Sequence, residues 1–504
     1  MKKQAKEDSY LHILKYTGLF GGVQGLNILV GIVRNKFVAM ILGPDGMGLV
    51  SLFNSTIKLV SDSTNFGISM SAVKTLSETF ESDDSARKAA VVAMIRSWSL
   101  LTAILGMVLC VVLSPFLNKW TFSWGDHTLH FVFLAPVVGL MAITGGETAI
   151  LKAARKLNRL AAISVYNMLF ALFCTVPLYY FYGQAGIVPS LLLLALAQCL
   201  ITIGCSYKLF TPRFALSQCR LSEGGGIIRL GMAFVVAGIL GSGAEFVIRS
   251  YMNYTADVHS VGLYNAGYMM TMTYAGMVFS AMETDYFPRL SAIKDFGERL
   301  NQTVNHQVEV SLLLVAPMLS FFIVLLPILL PLLYSGKFMP VIDMIRVTVL
   351  AMYFRAMTLP VEYISLSRSD SNSYLLLEAL YDICFAALVI LGFRYMGLLG
   401  TGVGLTVAGL INFCFVMVYA RYKYHYRIST EVQLYSIIQI PLGICTFLVA
   451  MNLQGIAYWV VGLFLSIVSL GISLQILKSK SNLWQALVKS VGKRIPFSKK
   501  RDEL

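Results

Sequence analysis

The sequence predicts an all-α integral membrane protein with about 14 transmembrane helices: two six-helix lobes related by a parallel repeat, then two C-terminal helices. Three observations carry this. Of the 504 residues, 57% are hydrophobic and only 13% are charged, where a soluble domain has about a quarter charged. The apolar residues fall into runs close to the roughly 20 residues that cross a bilayer as one helix. Lys and Arg gather in alternate short connections, which is how a polytopic chain marks its cytoplasmic side.

In order, the runs lie near 13 to 33, 47 to 70, 90 to 113, 129 to 151, 161 to 182 and 185 to 206, giving an N-terminal lobe over 1–207. A polar connection, 208–229, leads to a C-terminal lobe over 230–421, with runs near 230 to 251, 261 to 287, 307 to 334, 338 to 365, 373 to 395 and 397 to 420. Two more runs, 432 to 452 and 455 to 477, precede a basic tail, 478–504. Lys2, Lys3 and Lys6 stand before the first run with no small-residue cleavage site after it, so that run reads as an uncleaved span. In the tail, Leu483, Trp484, Leu487, Val488 and Val491 share a helical face beside Lys489, Lys493 and Arg494, a pattern that lies on the inner leaflet.

With the N-terminus inside, only Arg34, Lys36, Lys119, Arg249, Lys337 and Arg394 fall outside, and Lys58, Arg96, Arg346 and Arg355 fall within spans. Both termini are therefore expected in the cytoplasm. The net charge of +14 sits in short loops between spans, so it marks topology and not a nucleic-acid partner. The eight cysteines are scattered through apolar runs without metal-ligand spacing and read as packing residues.

The two lobes echo each other. Arg34 and Arg249, Glu147 and Glu362, and Tyr166 and Tyr381 are each 215 positions apart. Gly48-Leu49 and Gly262-Leu263, and the turns opened by Gly183 and Gly397, are each 214 apart. Both sets begin on the same side, so the repeat is parallel about an axis along the membrane normal, and a site is expected between the lobes.

Three motifs, LGPDGMG at 42–48, VGLYNAGY at 261–268 and LYSGKF at 333–338, resemble the polysaccharide transporter (Wzx) branch of the multidrug/oligosaccharidyl-lipid/polysaccharide exporter superfamily. The nearest likeness is to flippases for O-antigen and enterobacterial common antigen units. The resemblance covers roughly residues 10 to 425; the last two helices depart from the twelve-helix pattern. It implies alternating access and export of an undecaprenyl-diphosphate-linked oligosaccharide across a bacterial inner membrane. The implied partners are the lipid-linked oligosaccharide, membrane lipids, and the polymerase and chain-length machinery.

Such a substrate has a polar glycan and a diphosphate whose passage through hydrocarbon is heavily penalised. A wet cavity with cations meets that need, Arg binding phosphate bidentately and Lys as a point charge. Lys58 is the first candidate, mid-span and without a counterpart at Met272 and Thr273 in the other lobe; a local ion pair with Asp62, four residues on, is the alternative. Arg355 is next, with Glu362 two turns on as a balancing charge. Arg346 lies nearer the outer third, in snorkelling range. Arg34 and Arg249 are repeat mates at outer ends, either an exit-side anion site or headgroup contacts. Arg96 is expected to snorkel at the inner surface.

Asp62, Glu245, Glu378 and Asp382 are the candidates for ion coupling, because two carboxylates a turn apart, such as Glu378 and Asp382, can share a proton; full hydration in a vestibule is the alternative. Glu283 and Asp285 read as capping or surface groups. No cofactor or metal is expected: His127 and His130, beside Asp126, lack a third ligand, and no GxxxxGK[ST] loop offers ATP drive. Outer loops are too short to carry a polymerase or ligase active site, so an enzyme is the weaker reading. A cation-coupled drug exporter of the same superfamily is the transport rival, with an acidic or aromatic cavity in place of Lys and Arg.

Overall fold

The computed structural model describes residues 2–80, 84–154, 156–212, 225–276, 279, 286–287, 289–291, 293, 297–368 and 370–480. The expectations for the tail face at 483–491 and for Glu283 and Asp285 lie outside these residues. The regular elements are all helical: α1 (Lys2–Thr64), α2 (Ile68–Phe80), α3 (Ser85–Thr121), α4 (Thr128–Ala153), α5 (Leu157–Tyr182), α6 (Ile187–Tyr207), α7 (Gly225–Thr255) and α8 (Val258–Tyr268). There follow α9 (Glu298–Leu333), α10 (Ile342–Ser367), α11 (Ser371–Tyr424), α12 (Thr430–Asn452) and α13 (Gly455–Lys480).

Among the described residues, ten helical stretches are long and apolar enough to cross a membrane. Two of them, Asn158–Tyr207 and Ser371–Tyr424, run 50 and 54 residues, over twice the length one crossing needs. Each reverses at a glycine with positive φ, Gly183 at 54° and Gly397 at 60°. The reversal follows from the close approach of residues eight apart: a Cβ on Gly186 would press on the Leu178 carbonyl, and one on Gly400 on the Gly392 carbonyl. In a continuous helix such residues stand about 12 Å apart. Gly183 and Gly397 are repeat mates, as are Leu178 and Gly392, so the two hairpins close in the same way.

α1 also turns at a glycine, Gly43, with φ 65° and ψ −169°. Pro44 then opens the second limb, where a proline is tolerated because the first helical N–H has no intrahelical acceptor. The outer loop expected over 42–48 therefore reduces to one residue, with 44–48 already helical. The second limb ends at Thr64, short of the expected span end at 70, because Phe66 and Gly67 adopt positive φ. The chain restarts as α2, which no periodicity argument had separated. Its buried face, Ile68, Ala72 and Leu76, packs on Val92 and Ile95 of α3 and on Ala149, Ile150 and Ala153 of α4. The span expected over 261–287 likewise changes character: α8 passes into a π-helical segment, Met269–Ala275, a widened turn of the kind that recurs at functional sites.

The chain forms two compact units whose bounds differ from those of the lobes expected from the repeat. The first comprises Met1–Ala266, Leu329–Val341 and Ser371–Thr401; the second comprises Gly267–Ile328, Ile342–Asp370 and Gly402–Leu504. Within the first, Arg96 of α3 is not at the surface as expected. Its guanidinium donates to both carboxylate oxygens of Glu147 on α4, at 2.7 and 3.2 Å, and to the carbonyls of Phe210 and Thr211. The side chains of the pair are 2% and 3% exposed. An arginine this far inside must meet its donors with acceptors, and Glu147 with the chain end after α6 provides them.

In the second unit, Tyr353 on α10 donates to the Ala316 carbonyl of α9, and Tyr458 on α13 donates to the Val324 carbonyl. Gln439 of α12 binds Ser469 and Ser473 of α13. Asn305 accepts from the Tyr426 hydroxyl and the Ser429 amide and so pins the link between α11 and α12. These buried polar side chains find partners, as an apolar surrounding favours, whereas Arg346 Nε and Asn412 Oδ1 are buried without a hydrogen bond.

Candidate functional site

A set of charges among apolar helices lies in the first unit, where the second limb of α1 meets α7. On α7, Gly238, Gly241, Ser242, Glu245 and Arg249 are linked by steps of three and four residues (238 to 241 and 242, both to 245, then 249) and so share one face. Lys58 reaches across from α1: its Nζ is 3.2 Å from Glu245 Oε1. Glu245 Oε2 is 3.1 Å from the Arg249 guanidinium. The one carboxylate thus bridges two cations, and the local Lys58–Asp62 pair offered by the sequence is replaced by this contact between helices.

Arg249 is nearly inaccessible and bound to both helices. Its Nε donates to Ser51 Oγ at 2.8 Å and another nitrogen donates to the Glu245 carbonyl at 3.1 Å. It was expected at an outer end, facing anions or headgroups; it instead braces Glu245 against α1. Lys58 differs, with half of its side chain exposed. An ammonium has three donors, and Glu245 accepts one.

Two more carboxylates approach the same face of α7 where it has no side chain. A Cβ on Gly241 would stand 3.4 Å from Asp382 Oδ2, and one on Gly238 would stand 4.0 Å from Asp62 Cγ. Asp62 also interacts with the Ser242 hydroxyl, and Asp382 of α11 feels the charges of Glu245 and Lys58. Glu378, one turn before Asp382, is half-buried. The cluster is therefore mixed in sign: Lys58 and Arg249 against Asp62, Glu245 and Asp382.

Beyond the cluster, α1 and α8 meet through residues that are repeat mates of each other. Asp45 Oδ1 is 2.8 Å from His259 Nδ1, and Ser51 Oγ donates to Asn265 Oδ1 at 3.0 Å; both pairs are 214 apart, the offset of the repeat. A Cβ on Gly48 would collide with the Val258 carbonyl, and one on Gly262 with the Pro44 carbonyl, again mates. Self-pairing of this kind is the mark of a twofold contact. Ser51 belongs to both sets, joining the twofold contact to Arg249. Sequence reasoning passed over Ser51, Asn265, Ser242 and Gly238; the signal available for the first two was the 214 offset beside Gly48-Leu49 and Gly262-Leu263.

The other sequence candidates lie apart from this network. Arg34 is half-buried on the first limb of α1 and contacts Asn35 and, electrostatically, Tyr179. Arg346, in the second unit, is held by Asp343 at 3.0 Å and lies over the Tyr458 ring at 5.7 Å, an anchored position in place of a snorkelling one. Arg355 is exposed and interacts with the charge of Glu362, which accepts from Asn412 at 2.8 Å. In the link between α3 and α4, Asp126 accepts from the Thr128 and Asn118 side of the turn, and the Thr128 hydrogen bonds hold its carboxyl below the usual range. His127 and His130 face each other with Nδ1 atoms 3.3 Å apart. No group of three or more metal-ligating side chains occurs among the described residues.

The family model for polysaccharide biosynthesis proteins matches residues 37–343, more than half of the chain. No curated protein matches in sequence. Among solved structures, the lipid II flippase MurJ in an inward closed conformation superimposes with a TM-score of 0.68 at 11% identity, covering 93% of this chain and 99% of that one. An inward-facing multidrug resistance MATE transporter gives 0.65 at 15% identity, over 79% of this chain and 94% of that one. A MOP superfamily transporter from Pyrococcus furiosus gives 0.53 at 15% identity, over 81% and 93%. The chain belongs to the polysaccharide biosynthesis protein family, and its fold is the transporter fold of the MOP superfamily.

Proposed function

We propose that this protein moves undecaprenyl-diphosphate-linked oligosaccharide units, such as O-antigen or related surface-polysaccharide repeats, from the cytoplasmic to the periplasmic leaflet of a bacterial inner membrane. Alternating access between the two lobes, 1–207 and 230–421, accomplishes this, with both termini in the cytoplasm and α12 and α13 outside the repeat. The observation that carries the reading is Lys58, a mid-span lysine with half of its side chain exposed. A cation at that depth is costly unless it faces a wet cavity with work to do. Glu245, itself braced by Arg249, orients the ammonium and leaves donors for phosphate oxygens. Arg355, exposed in α10, is a second diphosphate contact in this reading, with Arg346 and Arg34 as lesser ones.

Moving negative charge outward is favoured by roughly 2.3 kcal/mol per charge per 100 mV of membrane potential, so the diphosphate needs no pump. Asp62, Glu245, Glu378 and Asp382 supply ion coupling in this reading: a proton or sodium ion on Asp382 or Asp62 removes a negative neighbour of Lys58 and so frees it for the substrate. The chemistry is transport and not catalysis, and the polymerase and chain-length machinery act on the delivered units.

A second reading, a cation-coupled exporter of organic cations, is favoured by the excess of carboxylates around Lys58. Proteoliposomes holding the native protein separate the two. Flipping of a fluorescent undecaprenyl-diphosphate oligosaccharide, with no proton-driven uptake of ethidium, is the expected result. Ethidium transport without flipping would establish the second reading.

A further inference from the structure

α4 and α6, both in the first unit, line an open groove of about 220 Å³, well above the roughly 10–15 Å³ of such space that one water needs. Small side chains on one stripe of α4, at Thr144, Gly145 and Thr148, face Ala195 of α6 and leave the gap; Lys152 and Gln198 line it as well. Lys152 and Gln198 make no side-chain hydrogen bond among the described residues. Glu147, the acidic residue nearest in sequence to Lys152, is bound to Arg96 and only 3% exposed, so it does not neutralise the groove.

The same end of the bundle is rimmed with cations. Lys152 closes the last turn of α4, Lys156 caps the start of α5 and Lys208 caps the end of α6. Arg159 donates to the Cys205 carbonyl at 2.7 Å, tying the start of α5 to the end of α6. The segments 148–160 and 199–222 contain no Asp or Glu. Lys152, Lys156 and Lys208 are exposed and form no ion pair among the described residues. A groove along two membrane helices, polar and basic at one end, is complementary to a phospholipid with a negative headgroup, and basic pockets between membrane helices are known to take such headgroups.

We infer that the α4–α6 groove holds an anionic phospholipid, its phosphate on Lys152 and the basic rim and an acyl chain along the Thr144–Thr148 stripe. This uses residues outside the Lys58 cluster. With the termini in the cytoplasm, as proposed above, this lipid belongs to the cytoplasmic leaflet, and only that placement rests on the proposed orientation. Binding in detergent does not depend on that orientation or on flipping, so the two ideas fail separately.

The test is native mass spectrometry and thermal melting of the full chain, purified free of lipid, with phosphatidylglycerol or phosphatidylcholine added at equal mole fraction. Phosphatidylglycerol is expected to bind and raise the melting temperature, and phosphatidylcholine is not. Lys152→Gln is expected to weaken phosphatidylglycerol roughly fivefold, the effect of one lysine at a charged membrane surface. Thr148→Leu, which fills the groove, should abolish the shift, and Lys152→Gln serves alone if that variant melts early. Equal shifts with both lipids, or unchanged affinity in Lys152→Gln, would overturn the inference. So would displacement of phosphatidylglycerol by undecaprenyl phosphate, which would make the groove part of the substrate path.

Discussion

Two Arg/Lys–Glu constellations in the first unit contrast sharply. Arg96 and Glu147 are 2% and 3% exposed, and the guanidinium is surrounded by acceptors. Lys58 is 50% exposed, and its contact with Glu245 leaves two ammonium donors unspent. Both are charges placed among apolar helices, yet only Lys58 keeps donors unspent. A charge whose every donor is taken holds helices together, and the charge left incompletely paired is the one on which the proposed function rests.

That contrast can be broken at either end. The largest effect is expected for Arg96→Ala, which strands Glu147 as an uncompensated buried carboxylate at a cost of about 3–5 kcal/mol. It should appear as a lower melting temperature and poor monodisperse yield; a normally stable variant would show that the pair is not structural. Lys58→Ala should be the reverse case, with stability within about 1 kcal/mol of native, as for exposed pairs, and flipping slowed about tenfold, or about 1.4 kcal/mol of barrier. Gly241→Val sharpens the comparison further. A Cβ there stands 3.4 Å from Asp382 Oδ2, so the branched side chain should displace the carboxylate. The expected result is a transport rate that no longer responds to an imposed pH or sodium gradient, with about 1–3 kcal/mol lost to overpacking. The smallest effect belongs to His259→Ala, because the Asp45–His259 pair is exposed at both ends; a stability change below about 1 kcal/mol is expected in melting experiments.

The helical spans were legible in the sequence because membrane solvent imposes few choices, and apolar length marks a crossing helix. The repeat was legible because glycines mark backbone geometry, and Gly183 and Gly397 share one positive-φ turn while Gly48 and Gly262 share one close approach. Local pairing was less legible. Lys58 and Asp62 have the spacing of a helical ion pair, but the partner of Lys58 comes from 187 residues away, which no local pattern encodes. The depth of Arg96 in its run suggests snorkelling, but depth carries no information about a partner. Its partner Glu147 stands out in the sequence as a repeat mate of Glu362, and a carboxylate in an apolar run is itself a signal that a cation lies nearby. α2 escaped because the break before it rests on Phe66 in a left-handed conformation, which is unusual for an aromatic residue.

The most direct measurement is the initial rate of undecaprenyl-diphosphate oligosaccharide flipping in proteoliposomes with matched amounts of native, Lys58→Ala and Lys58→Arg protein. A rate about tenfold lower in Lys58→Ala, largely restored in Lys58→Arg and with native melting in both, is the expected result. Flipping at the native rate in Lys58→Ala would contradict the role given to Lys58 and leave it as one more structural ion pair.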